Sequence, residues 1–257
     1  MTTLNIVRRG LLAAATAALA LPALGWAQYP DKPIKLIVPF AAGGGTDSIA
    51  RDMARTLGER LKQPAVDGVE PWLFDELTSD PRRYGWHATL KPPFRPADGV
   101  TLEAIDAATE ALARQWQTIP LPPLRVATLG QFLALRPQGP MEAVNPVAAA
   151  CVQQLHALAR PQSADELARR AHPSMTPRQH ALLQRWAYPW VLDEFRFHCS
   201  LTGPLGALDD AQTVAVTDAA RRLFDDLPPP VMDSIALFVE PAPGADFRLH
   251  RHWSLSA

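Results

Sequence analysis

Apolar positions recur along most of this chain at one of two spacings. Behind Thr101, the residues Leu102, Ile105, Ala108, Leu112 and Trp116 fall along one stripe and predict a helix capped by Thr101 and running to about Trp116. Asn145-Pro146, Ser163 and Thr176-Pro177 open three further helices, reaching about Ala159, Ala171 and Trp186, and Asp209 to Asp226 gives another. Period-two or continuous β-branched and aromatic runs predict strands at Pro33–Phe40, Gly85–Leu90, Gln131–Arg136 and Phe195–Leu201. Two more, Ser234–Glu240 and Asp246–Leu255, flank a Pro-Ala-Pro-Gly turn. Strands flank helices in both halves, so the expected class is α+β.

Composition narrows the function classes. Hydrophobic residues make up 47% and charged residues 20% of the 257 residues, which excludes a wholly disordered chain. Lys plus Arg number 25 against 26 Asp plus Glu, so no general electrostatic pull toward nucleic acid or anionic membrane is expected. Two cysteines, Cys151 and Cys199, cannot build a disulfide scaffold, and both a single disulfide and two separate buried thiols remain open.

The start of the chain reads as an export signal. Arg8 and Arg9 precede an apolar run from Gly10 to Leu24, and Gly25-Trp26-Ala27 supplies small residues at cleavage spacing, so residues 1–27 are expected to be removed. The run is interrupted by Pro22 and is too short to span a bilayer, so no stable membrane span is expected after cleavage. The signal implies a periplasmic protein.

Next, the strand at 33–40 leads through Ala-Ala-Gly-Gly-Gly-Thr-Asp into a helix whose Ile49, Met53, Leu57 and Leu61 share one side. A strand, glycine turn and helix N-terminus can trap an anion or can simply connect two elements. The stretch from Tyr29 to about Gln63 resembles the start of mature periplasmic receptors of tripartite tricarboxylate transporters. That resemblance implies that Gly43, Gly44, Gly45, Thr46 and Asp47 lie near a substrate carboxylate. It stops near Gln63 to Asp67, where the composition turns Pro-, Trp- and Arg-rich, and nothing later supplies a second lobe. The expected organisation is a signal (1–27), a receptor-like βα fragment (28–64) and a second domain (65–257).

The chemistry concentrates in two segments that echo each other. Tyr84-Gly-Trp-His87-Ala-Thr89-Leu90-Lys-Pro-Pro-Phe94 and Phe195-Arg-Phe-His198-Cys-Ser200-Leu201-Thr-Gly-Pro-Leu205 both read aromatic, any residue, aromatic, His, any residue, Ser/Thr, Leu. On a strand, His87 sides with Thr89 and His198 with Ser200, while Cys199 points off that face. Two imidazoles on one cavity suit phosphodiester hydrolysis: one accepts a proton from water, the other donates one to the leaving oxygen, and the hydroxyls hold the phosphoryl oxygens. This chemistry calls for no metal or other cofactor.

On those motifs, residues 65–257 resemble the two-histidine (2H) phosphoesterase superfamily, and RRYGWHATLKPPF, FRFHCSLTGPL and the ending DSIALFVEPAPGADFRLHRHWSL are similar to a branch found with phosphonate-utilisation operons. The resemblance implies two pseudo-symmetric lobes of antiparallel strands flanked by helices, with a helical insertion. It implies His87, Thr89, His198 and Ser200 as catalytic, Arg83, Tyr84 and Lys91 as substrate-binding, and a small cyclic phosphate as substrate, a ribose cyclic phosphate in particular. No nucleic-acid partner beyond oligonucleotide ends is implied. Phosphonate-pathway enzymes are expected in the cytoplasm, which makes that the alternative location. Members of the branch begin with a strand that this chain lacks, and Ile34 to Phe40 is expected to fill its slot. A carboxylate-binding protein, or a composite in which neither part functions, are the alternatives.

Overall fold

A computed structural model describes residues 66–256 together with the backbone of the strand at 34–38. The predicted signal and the glycine loop at 41–47 lie outside the described residues.

Two antiparallel sheets form the framework. The first has the order β2-β1-β8-β9, made by β1 (Ile34–Val38), β2 (Ala88–Phe94), β8 (Ser234–Val239) and β9 (Arg248–Ser254). The second is β4-β5-β6, made by β4 (Leu124–Leu129), β5 (Phe132–Pro137) and β6 (Cys199–Ser200). A short ladder joins β3 (Ile119–Pro120) to β7 (Val231–Met232). The helices are α1 (Pro71–Tyr84), α2 (Leu102–Ala113), α3 (Asn145–Gln154), α4 (Ala164–Arg170), α5 (Pro177–Trp186) and α6 (Asp210–Phe224). The class is α+β, as expected, and α3 to α5 form the helical insertion between β5 and β6.

β1 fills the vacant slot. It pairs with β2 on one side and β8 on the other, with Ile37 opposite Thr89 and Val38 opposite Ala88. It therefore runs beside the first histidine motif in the middle of the sheet.

Four helices start at the caps that the sequence signals. Thr101 Oγ1 accepts from Ala104 N at 3.2 Å, while Ser163, Thr176 and Asp209 each complete a capping box with the Glu or Gln three residues on. Four expectations shift. α1 is an unpredicted helix, opened by Pro71 in its first turn and carrying Pro81 inside, with Leu73 and Leu77 buried. β4 is unpredicted and closes on β5 through the two-residue turn Gly130-Gln131, with Gly130 at φ +59°. The expected strand at 85–90 starts later, at Ala88, and continues through Pro92-Pro93, which β2 tolerates because it is an edge strand. The expected strand at 195–201 shrinks to Cys199–Ser200, because β5 offers ladder partners only at Leu135 and Ala134.

One continuous core lies between the sheets and helices, with Leu90, Ile105, Leu112, Leu133, Leu135, Leu237 and Trp253 all buried. The helical insertion adds a small core of its own around Val152, Leu182 and Val191. Cys151 and Cys199 are free and fully buried, and burial pushes both thiols up to about 12. They are two separate structural thiols.

Candidate active site

His87 stands just before β2 and His198 just before β6. The two strands come from different sheets and pack against each other. Around the second motif the burial alternates as the motif requires, and around the first it does so from Ala88 to Leu90. Ala88, Leu90, Phe197 and Cys199 enter the core, whereas Thr89, His198 and Ser200 are half-buried; His87 is 8% exposed.

The two imidazoles are seated alike. His87 Nδ1 lies 2.8 Å from the Gly85 carbonyl, and His198 Nδ1 lies 2.7 Å from the Arg196 carbonyl, two residues upstream in each case. A carbonyl oxygen only accepts, so Nδ1 carries the proton in both rings. Each ring also leans on an aromatic at the same tilt. Tyr84 lies 5.5 Å from His87 and Phe132 lies 5.8 Å from His198, both at 52°.

Gly85 makes the first seat. It ends α1 at φ +69° and ψ −172°, a region essentially reserved for glycine, and so turns the chain from helix to strand within three residues. Trp86 then stacks on Phe224 at the end of α6, with centroids 5.6 Å apart and planes 7° from parallel. The second motif is fastened to β5: Leu133 N donates to Thr202 Oγ1 at 3.0 Å, and Leu201 N donates to Leu133 O at 2.9 Å. A direct tie joins the two motifs, since Gly203 N donates to the carbonyl of Leu77 in α1 at 2.6 Å. The helix that ends at the first histidine thus grips the loop that follows the second.

The remaining residues of the expected site fall into two places. Tyr84 is beside His87 and also packs on Phe247, at 5.0 Å. Arg83 is committed locally. Its guanidinium pairs with Glu240 and donates through Nε to Ala245 O at 3.1 Å, and it lies 5.5 Å over the Phe247 ring. Lys91 is elsewhere. Register shifts in the β1–β2 ladder fall between Thr89 and Phe94, so alternation fails and Leu90 and Lys91 are both buried. Lys91 lines a cavity with His156, Arg160 and Trp186 that none of His87, Thr89, His198 and Ser200 borders. His250, on β9, lies with Nε2 3.0 Å from Asp106 Oδ2. No group of three or more metal-ligating side chains occurs among the described residues, and no helix among them is long and apolar enough to cross a membrane.

Sequence reasoning passed over Phe132, Thr202, Gly203 and the two seating carbonyls. The carbonyls had a visible signal, because Gly85 and Arg196 occupy the same place in the repeated motif. Phe132, on a different strand from either histidine, had none.

Two antiparallel sheets meeting at a mirrored pair of histidine motifs define a two-sheet α+β protein with a helical insertion. The chain belongs to the family described as Protein of unknown function (DUF1045), which matches residues 89–248. It is 36% identical over 192 residues to ribose 1,5-bisphosphate phosphokinase PhnN of Janthinobacterium sp. (strain Marseille), a match covering 74% of this chain and 42% of that relative. The PhnN of Laribacter hongkongensis (strain HLHK9) is 39% identical over 176 residues, covering 68% of this chain and 40% of the relative. The chain thus spans about two fifths of the length of these curated relatives. A stretch of 52 residues is 52% identical to Protein BugT of Bordetella pertussis, covering 20% of this chain and 16% of BugT. Among solved structures, Escherichia coli LigT complexed with 3'-AMP aligns over 88% of this chain and 99% of its own, with 14% identity and a TM-score of 0.43.

Proposed function

We propose that this protein hydrolyses a small cyclic phosphodiester, without a metal, by passing protons through His87 and His198. The observation that carries this reading is the identical seating of the two imidazoles on packed strands, each with Nδ1 held by the carbonyl two residues back. In this reading the two rings exchange protons through Nε2 on either side of one phosphorus centre. The neutral imidazole accepts a proton from water as its oxygen bonds to phosphorus. The other, protonated, donates to the bridging oxygen as its bond to phosphorus breaks, which opens the ring to a phosphate monoester. The hydroxyls of Thr89 and Ser200 hold the non-bridging oxygens as charge gathers on them. Tyr84 supplies an aromatic wall beside His87, and Arg83, paired with Glu240, braces the turn that carries Phe247.

The names of the relatives attach ribose 1,5-bisphosphate chemistry to proteins of which this chain spans a part, which supports a ribose cyclic phosphate as the substrate. The short match to BugT supports a composite origin for the chain. β1 is an inner strand of the sheet bearing the first motif, which supports a role within that sheet rather than in a separate carboxylate-binding lobe.

The test is an assay of the full chain against ribose cyclic phosphates and 2',3'-cyclic nucleotides, with and without a chelator. Hydrolysis that persists in chelator and falls by about 10²–10⁴ in both His87→Ala and His198→Ala is the expected result. Full activity in either variant, or no turnover of any cyclic phosphate by the parent protein, overturns the proposal.

A further inference from the structure

Behind β2, where it meets the helical insertion, lies a cavity of about 150 Å³ whose wall includes Lys91, His156, Arg160, Arg170, Arg185 and Trp186. Its cations are not equally satisfied. Arg160 is balanced by Glu166 at 2.7 Å, Arg170 donates to the Ala187 carbonyl at 2.6 Å, and Arg185 lies 5.0 Å over the Trp186 ring. Lys91 is 3% exposed, its ammonium sits 5.0 Å over the Phe94 ring, and among the described residues no carboxylate pairs with it. A buried ammonium without a counter-ion is costly, and four cationic side chains against one carboxylate leave the cavity strongly positive.

We propose that this cavity is a second anion site, separate from the paired histidines, that takes a small phosphate monoester with Lys91 at its floor and Arg185 at its rim. The excess of positive charge favours a dianion over a singly charged carboxylate. The volume admits a phosphate with a small organic residue, and Trp186, with His156 packed edge-on at 4.9 Å, offers a flat wall for it. The electrostatics agree: burial pushes Lys91 down to about 8, and burial followed by the charges of Lys91 and Arg185 lowers His156. A bound dianion would relieve both. The proposal does not rest on the phosphodiesterase reading, and either can fail alone.

Calorimetric titration of the full chain carrying His87→Ala and His198→Ala, at pH 7, tests it. The probes are inorganic phosphate and ribose 5-phosphate, with acetate as the monocarboxylate comparison. The expected result is saturable binding of one equivalent of either phosphate, weakened at least about tenfold by adding Lys91→Met. Arg185 is exposed, so Arg185→Gln leaves the fold intact whatever becomes of the lysine variant, and it should weaken binding roughly three- to tenfold. Absence of saturable phosphate binding, phosphate affinity unchanged by Arg185→Gln, or acetate bound as tightly as phosphate overturns the proposal. Hydrolysis assays of the parent protein do not bear on this outcome.

Discussion

Gly85 joins three tasks in one residue: it ends α1, turns the chain into β2 and offers its carbonyl to His87 Nδ1. A Cβ at this position would meet no neighbour within 4 Å, so the cost of Gly85→Ala is backbone strain alone, about 1–3 kcal/mol. The expected outcome is a loss of that size in denaturant unfolding, with hydrolytic kcat falling further than the stability loss explains because His87 is reseated. A variant with unchanged stability would contradict the turn argument. At this scale the sequence showed a good deal. The repeated motif picked out His87, Thr89, His198 and Ser200, because a strand's period of two fixes which neighbours share a face. It could not place Lys91, since the bulge that separates this lysine from Thr89 is a property of the pairing with β1 and not of the residues in β2.

β1 is the element on which the first sheet depends. It supplies the ladder for both β2 and β8, and its last residues, Ile37 and Val38, stand opposite Thr89 and Ala88. Proline in an inner strand removes a ladder hydrogen bond, which is why it is found essentially only on edge strands or at bulges. Ile37→Pro is therefore expected to lower the midpoint of urea unfolding and to abolish hydrolysis together. The same substitution at His252, on the exposed edge strand β9, should do neither; equal effects at both positions would show that β1 is not an inner strand. Edge strand β9 is otherwise protected by charge, with Arg248, His250, Arg251 and His252 along it. The capped helices were legible because a cap is a local exchange of hydrogen bonds. α1 was not legible, since its two prolines read as loop signals while Leu73 and Leu77 find their partners only in the assembled core.

Across the whole molecule, buried titratable groups shape stability against pH. Lys91 has a folded value of about 8 against the usual 10.5, so between these the unfolded chain holds the extra proton and stability rises with pH. Cys151 and Cys199 act in the opposite sense. Their folded values of about 12 lie above the usual 9, so stability falls above pH 9 as the unfolded chain loses those protons first. Urea unfolding is expected to show stability climbing by only about 0.3 kcal/mol from pH 8 to 9, because the two thiols offset most of the lysine's gain of about 1 kcal/mol, and declining beyond it. In Lys91→Met the climb should vanish while the decline remains; an unchanged climb would mean that the lysine is not desolvated. By itself the sequence determined the α+β class, most helix boundaries and the repeated motif that carries His87 and His198, because caps, spacing and strand alternation are local rules. The sequence also suggested the strand at 34–38 for the missing slot, but tertiary structure alone decided its register with β2 and β8, that β2 packs on β6, and that Lys91 turns away from the histidines into a separate cationic cavity. Those outcomes depend on ladder register and on partners far apart in the chain, and a residue's own neighbours in sequence do not encode either.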